Sequence, residues 1–380
     1  MKLGTTGVFA AAMALGLAAA AEAQDIIRLR SGTEIKAKIT AMTSQSVTYT
    51  EAGGKVSTAK REDVVSVDLG DKPPSLVKGD QALVESKYDR AIANYAPALE
   101  EIQQKKARDL HTQFVLLNWA QALNQKGSPA EALEMYRRLR NECKDCWLRP
   151  ESFQRSMEIA KAKGGDAYEN ILKEMKTEPE PVGSQAELEL AKIKFVAGDF
   201  DSARPLFDKI SSNPASPYSG DAKLWSLRCI RGLKKVDELE SACTRILGDK
   251  AASTPGLLQA AGASLAEIQL KKNEKDKTKW RDILMICLQS IAQGPPSGKD
   301  EAEDYVLALM VGAKCYVLIS TDAEKPEAKE EYKNRAIAYY REVQRGFSRT
   351  TLAEAATKEL VALGAEVPKD APPRDPKGPK

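Results

Sequence analysis

The sequence predicts a mainly α protein: an α-solenoid of about seven helix pairs preceded by a small five-stranded, barrel-like β module. Three observations predict it. Residues 25–69 alternate apolar and polar positions with period two and are rich in Val, Ile and Thr, whereas from Leu76 to about Leu363 the apolar period is 3.6. Within that second region one apolar stripe returns at steps close to the length of a helical hairpin. The chain of 380 residues has room for two or three ordinary domains, or one long array of small units, and can bury a core. Lys plus Arg number 57 against 54 Asp plus Glu, and the resulting charge of +3 is too small for a strong field toward nucleic acid or anionic membrane.

The first 24 residues, MKLGTTGVFAAAMALGLAAAAEAQ, hold one basic residue, an apolar run from Val8 to Ala21, and Ala-Glu-Ala before Gln24. Small residues at Ala21 and Ala23 suit a signal peptidase pocket, so residues 1–23 are expected to be a secretory signal peptide. The other reading, a retained anchor, is disfavoured because the run falls short of the roughly 18 residues that a spanning helix needs. No cysteine follows it to take a lipid, and no second segment reads as apolar for long enough to cross a bilayer. An exported protein, periplasmic or associated with the envelope, is expected.

Residues 24–71 supply the β module. DIIRLR, EIKAKITAM, SVTYTE, KVSTAK and DVVSVDL are five short runs separated by Gly or Ser turns. So small a flat sheet would leave its edges and one face uncovered, so a curled sheet or barrel is expected. The run D-I-I-R-L-R-S-G-T-E-I-K-A-K-I resembles the small SH3- or Sm-like modules that follow the signal peptide in many exported bacterial proteins. A β-hairpin module of another topology is the alternative. Pro73-Pro74 suits neither strand nor helix interior, so residues 72–75 are expected to be a linker.

The helical region, 76–366, is read from its stripes. Phe200, Ala203, Phe207 and Ile210 stand at i, i+3, i+7 and i+10 in FVAGDFDSARPLFDKI. The same spacing recurs at Tyr88-Ala91-Tyr95-Ala98, Pro129-Ala132-Tyr136-Leu139 and Val236-Leu239-Cys243-Ile246, with a weaker copy at Tyr168-Ile171-Met175. Starts at 88, 129, 168, 200 and 236 are separated by 41, 39, 32 and 36 residues. In S-K-Y-D-R-A-I-A-N-Y, G-S-P-A-E-A-L-E-M-Y and G-D-F-D-S-A-R-P-L-F a small residue comes first, then a ring two positions on, then an alanine, then an aromatic. This order resembles the turn and second helix of a tetratricopeptide repeat (TPR), whose period is about 34 residues. Gly127 and Gly198 would form the tight turns, Ala91, Ala132 and Ala203 would let paired helices approach, and Tyr95, Tyr136 and Phe207 would fill the gap to the next unit.

Some positions depart from the pattern. Ser86 stands where glycine is usual, the Tyr168 unit lacks its alanine, and Pro205 falls inside a second helix. Further stripes start at Trp280-Ile283-Cys287 and Ala336-Tyr340-Val343, with charged loops expected at KKNEKDKTK and TDAEKPEAKEE. AIAYYREVQRGFSRTTLAEAATKELVAL resembles the last repeat and capping helix of envelope TPR proteins. The tail, 367–380, is rich in Pro and Lys and is expected to be disordered.

Chemical motifs are few. A single histidine, His111, excludes an imidazole metal site and is expected on the surface or between helices. Gly294-Pro-Pro-Ser-Gly-Lys-Asp is one residue too short for a phosphate loop, has Asp300 where Ser or Thr would meet magnesium, and loses two amide donors to proline. Cys143-Lys-Asp-Cys146 is the one suggestive pair, placed at the end of a predicted second helix where the dipole disfavours a thiolate. A structural disulfide or two thiols is therefore expected there, and the absence of a second C-x-x-C leaves a four-thiolate zinc site unsupported. Cys229, Cys243, Cys287 and Cys315 sit at core positions, with Cys229 and Cys243 a candidate pair across a hairpin. Carboxylates interleave with Lys and Arg as on a solvated helix face, so no acid and base pair stands out.

What remains is a binding surface. The TPR resemblance implies a concave groove lined by first helices, suited to peptide or protein partners. Aligned on the turns, Asn118, Gln121 and Gln125 of one unit and Glu189 and Lys192 of another fall near it. A scaffold or assembly factor for one or more envelope or secreted proteins is the expectation, without catalysis, cofactor or nucleic acid. Two rival readings are a thiol-disulfide oxidoreductase or redox-regulated chaperone using the CKDC pair, and a glycan-binding adaptor acting through the β module.

Overall fold

The period-two region folds into five antiparallel strands, β1 (Asp25–Leu29), β2 (Glu34–Met42), β3 (Ser46–Thr50), β4 (Val56–Lys60) and β5 (Val64–Asp68), in the order β4-β3-β2-β1-β5. The computed structural model describes residues 24–104, 110–249, 253–295, 299–348 and 351–366. The expected signal peptide and the Pro-rich tail lie outside them. Strand β2 shares itself between two neighbours: residues 34–37 pair with β1, and residues 38–42 pair with β3 across a register shift between Ile39 and Ala41. That bulge curls the sheet and gathers Ile27, Ile39, Val47, Tyr49 and Ala59 on one buried face. At the first residue of β1, the Asp25 carboxylate accepts the Ile39 N–H at 2.7 Å and the Gly70 N–H at 2.9 Å. A 3-10 turn, Arg61–Asp63, joins β4 to β5.

Pairing runs from β4 to β5 without a ladder joining the two ends. The sheet does not cover its core alone: Leu110, Phe114 and Trp147 from the helical region pack against it. The expected linker is also shorter than residues 72–75, because Pro74 is the first residue of α1 with Pro73 as its cap. Proline is tolerated at that position, where the missing N–H would have no helical partner.

Fifteen helices follow among the described residues: α1 (Pro74–Val84), α2 (Tyr88–Gln104), α3 (Leu110–Lys126), α4 (Pro129–Glu142), α5 (Arg149–Lys163), α6 (Asp166–Met175), α7 (Val182–Val196), α8 (Phe200–Ser211), α9 (Ser219–Gly232), α10 (Val236–Gly248), α11 (Pro255–Lys272), α12 (Trp280–Ile291), α13 (Lys299–Asp322), α14 (Pro326–Gly346) and α15 (Thr351–Ala362). Six consecutive pairs pack together, α1 with α2, α3 with α4, α7 with α8, α9 with α10, α11 with α12 and α13 with α14, in a TPR-like helical-repeat fold. The turns fall where the repeat predicts. Gly127 (φ +93°) and Gly198 (φ +80°) adopt the left-handed conformation, and Ser86 (φ +58°) and Lys234 (φ +57°) adopt it despite their side chains, which costs about 1–2 kcal/mol per non-glycine residue. Asp199 caps α8 by accepting the Ser202 N–H at 3.2 Å, and α8 continues through Pro205.

The chain divides into two compact units, residues up to Ile171 and residues from Leu172, with α6 crossing the division. In the first unit Ala91, Tyr95, Ala98, Ala132, Tyr136 and Leu139 are buried as the stripes require. The Tyr95 ring lies so near α1 that a Cβ on Gly79 would sit 2.7 Å from it. In the second unit Ala203, Phe207 and Ile210 pack with Trp225, whose ring stacks on Phe207 at 6.0 Å and meets Phe195 edge-on at 5.0 Å. Of the weaker copy, Met175 is buried but Ile171 is only half-buried, and Leu172 takes the core position.

Two further expectations change. By length and composition the stretch Ala302–Asp322 of α13 is apolar enough to cross a membrane. In this fold most of that stretch is buried, with Val306, Leu309, Ala313 and Tyr316 in the core of the second unit. Much of TDAEKPEAKEE is helix, since only residues 323–325 separate α13 from α14. Of Gly294–Asp300, residues 296–298 lie outside the described set.

Candidate functional site

Helix α3 presents Gln121, Asn124 and Gln125 at i, i+3 and i+4, one surface of one turn. Helix α5 presents Arg155, Glu158, Ile159, Ala162 and Lys163 with the same periodicity, and the start of α4 adds Leu133 and Tyr136. These side chains enclose a pocket of about 570 Å³. Its rim mixes neutral amides with both signs of charge, and its floor is apolar. Gln121 and Gln125, two of the residues expected near a groove, line this pocket; the α5 contribution was not anticipated, because Arg155 and Glu158 sit in a window that reads as an ordinary solvated face.

Asn118 has a different occupation. Its side-chain N–H donates to the Asp80 carboxylate on α1 at 2.8 Å, and the Tyr95 hydroxyl donates to the same oxygen at 3.3 Å. Burial raises the Asp80 carboxyl above the usual carboxylate range, against the opposing pull of Asn118 and Lys72. Burial and the Asp80 charge raise the Tyr95 phenol.

In the second unit Glu189 and Lys192 form an ion pair at 2.9 Å on α7, and the Lys192 ammonium lies 5.4 Å from the centre of the Trp225 ring. Both are half-buried and engaged within their own unit. A buried network there was not anticipated at all: Asp304 on α13 receives Arg228 of α9 through Nε at 2.9 Å and Nη2 at 2.6 Å, and Arg231 at 2.6 Å. Arg228 stands in the apolar run LRCI, so its residue type was the available signal.

The CKDC turn lies between α4 and α5 and carries the contact with the sheet. Asp145 accepts the Ser44 N–H at 3.0 Å and its hydroxyl at 2.8 Å. The Arg61 guanidinium lies 4.1 Å over the Trp147 ring and donates to the Trp147 carbonyl. His111, fully buried at the start of α3 rather than on the surface, meets Asp71 through Nε2 at 2.9 Å. Together these tie the sheet to the helices of the first unit.

Cys143 is the C-cap of α4, whereas Cys146 precedes the first turn of α5. The sequence places both at a helix C-terminus; the structure places only Cys143 there, because α5 begins at Arg149. The two sulfurs are not bonded to one another. The Cys143 thiol hydrogen-bonds the Cys146 sulfur, which, with the N–H groups of Leu148 and Arg149 and the Arg149 charge, lowers the Cys146 thiol against the effect of burial. Burial pushes Cys229 and Cys243 up to about 12, and these two are not joined. The hydrogen-bonded pair in the second unit is instead Cys287 with Cys315, both fully buried, where that contact and burial raise Cys287. Among the described residues no group of three or more His, Cys, Asp or Glu side chains is placed to hold a metal ion.

No protein-family model matches the chain, and no curated protein matches it. Solved structures similar to it include a tetratricopeptide repeat protein from Parabacteroides merdae, with 15% identity, a TM-score of 0.36, and coverage of 76% of this chain and 96% of that one. The TPR2AB domain of yeast Sti1, in a complex with pHSP90, has 15% identity, a TM-score of 0.26, and coverage of 63% and 96%. A human IFIT1 dimer with m7Gppp-AAAA has 15% identity, a TM-score of 0.32, and coverage of 78% and 65%.

Proposed function

We propose that this chain is an exported scaffold or assembly factor of the cell envelope that binds one or more envelope or secreted proteins along α3 and α5, without catalysing a reaction. The pocket of about 570 Å³ carries this reading. A peptide segment needs donors and acceptors for its backbone, and Gln121, Asn124 and Gln125 offer both at one helical turn. It also needs an apolar seat for a side chain, which Leu133, Tyr136 and Ile159 provide. Arg155, Glu158 and Lys163 at the rim would select the charge of flanking residues more than add affinity. The bent β2 and the 3-10 turn between β4 and β5 support the SH3- or Sm-like reading of the N-terminal module.

Site-specific photo-cross-linking in intact envelopes tests the proposal. A cross-linker at exposed Gln125 in the full-length protein should capture an exported protein, whereas one at exposed Val361 should not. Ala162→Trp, an exposed substitution that fills the pocket, should abolish the adduct while leaving the helical circular dichroism intact. An adduct at Gln125 that survives Ala162→Trp would remove the pocket from consideration. Terminal sequencing of the mature protein should begin at Gln24 if the leader is cleaved after Ala23, and an intact Met1 end would count against export.

A further inference from the structure

The CKDC turn holds two sulfurs in contact but in opposite surroundings. Cys143 is half-buried, with access to solvent, and ends α4; Cys146 is 5% exposed and faces the start of α5. A helix C-terminus favours the protonated thiol and a helix N-terminus favours the thiolate. The two side chains are hydrogen-bonded to one another. An external disulfide can reach the first sulfur and is kept from the second.

We propose that Cys143 and Cys146 are a reversible dithiol–disulfide site for exchange with small-molecule disulfides, in which Cys143 is the entry sulfur and Cys146 the resolving one. Water takes the Cys143 proton, and the Cys143 thiolate attacks a disulfide RSSR. A Cys143–SR mixed disulfide forms and RS⁻ leaves. Cys146 gives up its proton to that RS⁻, and its thiolate, stabilised by the Leu148 and Arg149 amides, attacks the Cys143 sulfur. The Cys143–Cys146 disulfide forms, and the second RS⁻ departs and takes a proton from water. Two protein thiols are oxidised and one small disulfide is reduced to two thiols, with the balance set by the two reduction potentials. Asp145 lies inside the ring that closes and Trp147 directly after it, so the site sits within the turn that contacts Ser44 and Arg61 of the N-terminal sheet.

Oxidised glutathione is the probe. The full-length reduced protein is incubated with it, the remaining thiols are alkylated under denaturing conditions, and the products are weighed before and after trypsin. Two of the six cysteines should be protected from alkylation. Trypsin cleaves after Lys144, so the product should appear as two peptides joined through Cys143 and Cys146. Cys287 and Cys315 should remain alkylatable, since their contact and burial oppose the thiolate. In Cys146→Ser the glutathione mixed disulfide at Cys143 should outlive the wild-type intermediate by about tenfold or more, for want of a resolving thiolate. In Cys143→Ser, Cys146 should take up little glutathione. Retention of both thiols by the wild-type protein under excess oxidised glutathione would overturn the site. Equal glutathione uptake by the two variants would overturn the division of roles.

Discussion

Two aspartates, one in each unit, are treated in opposite ways. Asp304 on α13 is 1% exposed and is met by two guanidinium groups, so its charge is fully engaged inside the second unit. Asp80 on α1 is half-buried and is met by an amide and a phenol, both neutral, so burial still raises its carboxyl. One unit spends its polar side chains on holding α9 and α13 together. The other leaves neutral amides and an under-compensated carboxylate on α1 and α3, next along α3 from the pocket that Gln121 and Gln125 line. Within one helical-repeat fold a carboxylate withdrawn from water can be met by guanidinium groups in direct contact or by neutral donors alone.

The largest effects are expected where that difference is broken in the second unit. Asp304→Ala leaves the buried Arg228 charge uncompensated and should lower stability by about 3–5 kcal/mol, read from urea unfolding followed by far-UV circular dichroism. A loss below about 1 kcal/mol would mean that the ion network does not tie the helices. Replacing Asp304, Arg228 and Arg231 together by apolar residues of similar volume should recover most of the loss, because the cost lies in the unpaired charge. Phe207→Ala provides the apolar counterpart. It empties the contact with Trp225 and should also cost about 3–5 kcal/mol; a melting temperature that hardly moves would show that the stripe is not the core it is taken to be.

Arg61→Ala probes the first unit at the sheet. It removes a guanidinium stacked on Trp147, worth about 0.5–1 kcal/mol, and a charged hydrogen bond to the Trp147 carbonyl, worth about 1.5–3 kcal/mol. Hydrogen exchange should quicken in β4 and in residues 143–148 while β1 and β2, held by Asp25, stay protected. Unchanged exchange at both places would mean that Leu110 and Phe114 hold the sheet without help.

The repeats were legible because their cause is local: alanine at a helix crossing and a ring four residues on are needed wherever two helices approach, so the pattern returns with the fold. Ser86 and Lys234 obscured it, since their backbones adopt the glycine conformation without glycine's sequence signal. The candidate site was half legible. Gln121 and Gln125 follow from the position of the turn at Gly127, but Arg155 and Glu158 join them only through the packing of α5. Asp304 and Arg228 lie 76 residues apart and neither carries a local mark of the other. Cys146 was misplaced for a similar reason: with no clear cap before Arg149, the start of α5 was invisible and the motif read as a helix end.

Asp80→Asn sharpens the comparison with the smallest change. Asparagine keeps an oxygen to accept from Asn118 and Tyr95 but removes the charge that burial disfavours. A carboxyl raised in the folded state binds its proton more tightly there than in the unfolded chain, so its unfavourable contribution is fully present near neutral pH. That contribution is relieved as pH falls through the raised value toward the ordinary carboxylate range. The variant should therefore be as stable as the wild type or slightly more so at neutral pH, and its margin should shrink on acidification. Paired urea titrations between neutral pH and about pH 4 would show it. A margin that grows on acidification would place Asp80 with Asp304, as a charge the fold stabilises, and would end the contrast between the two units.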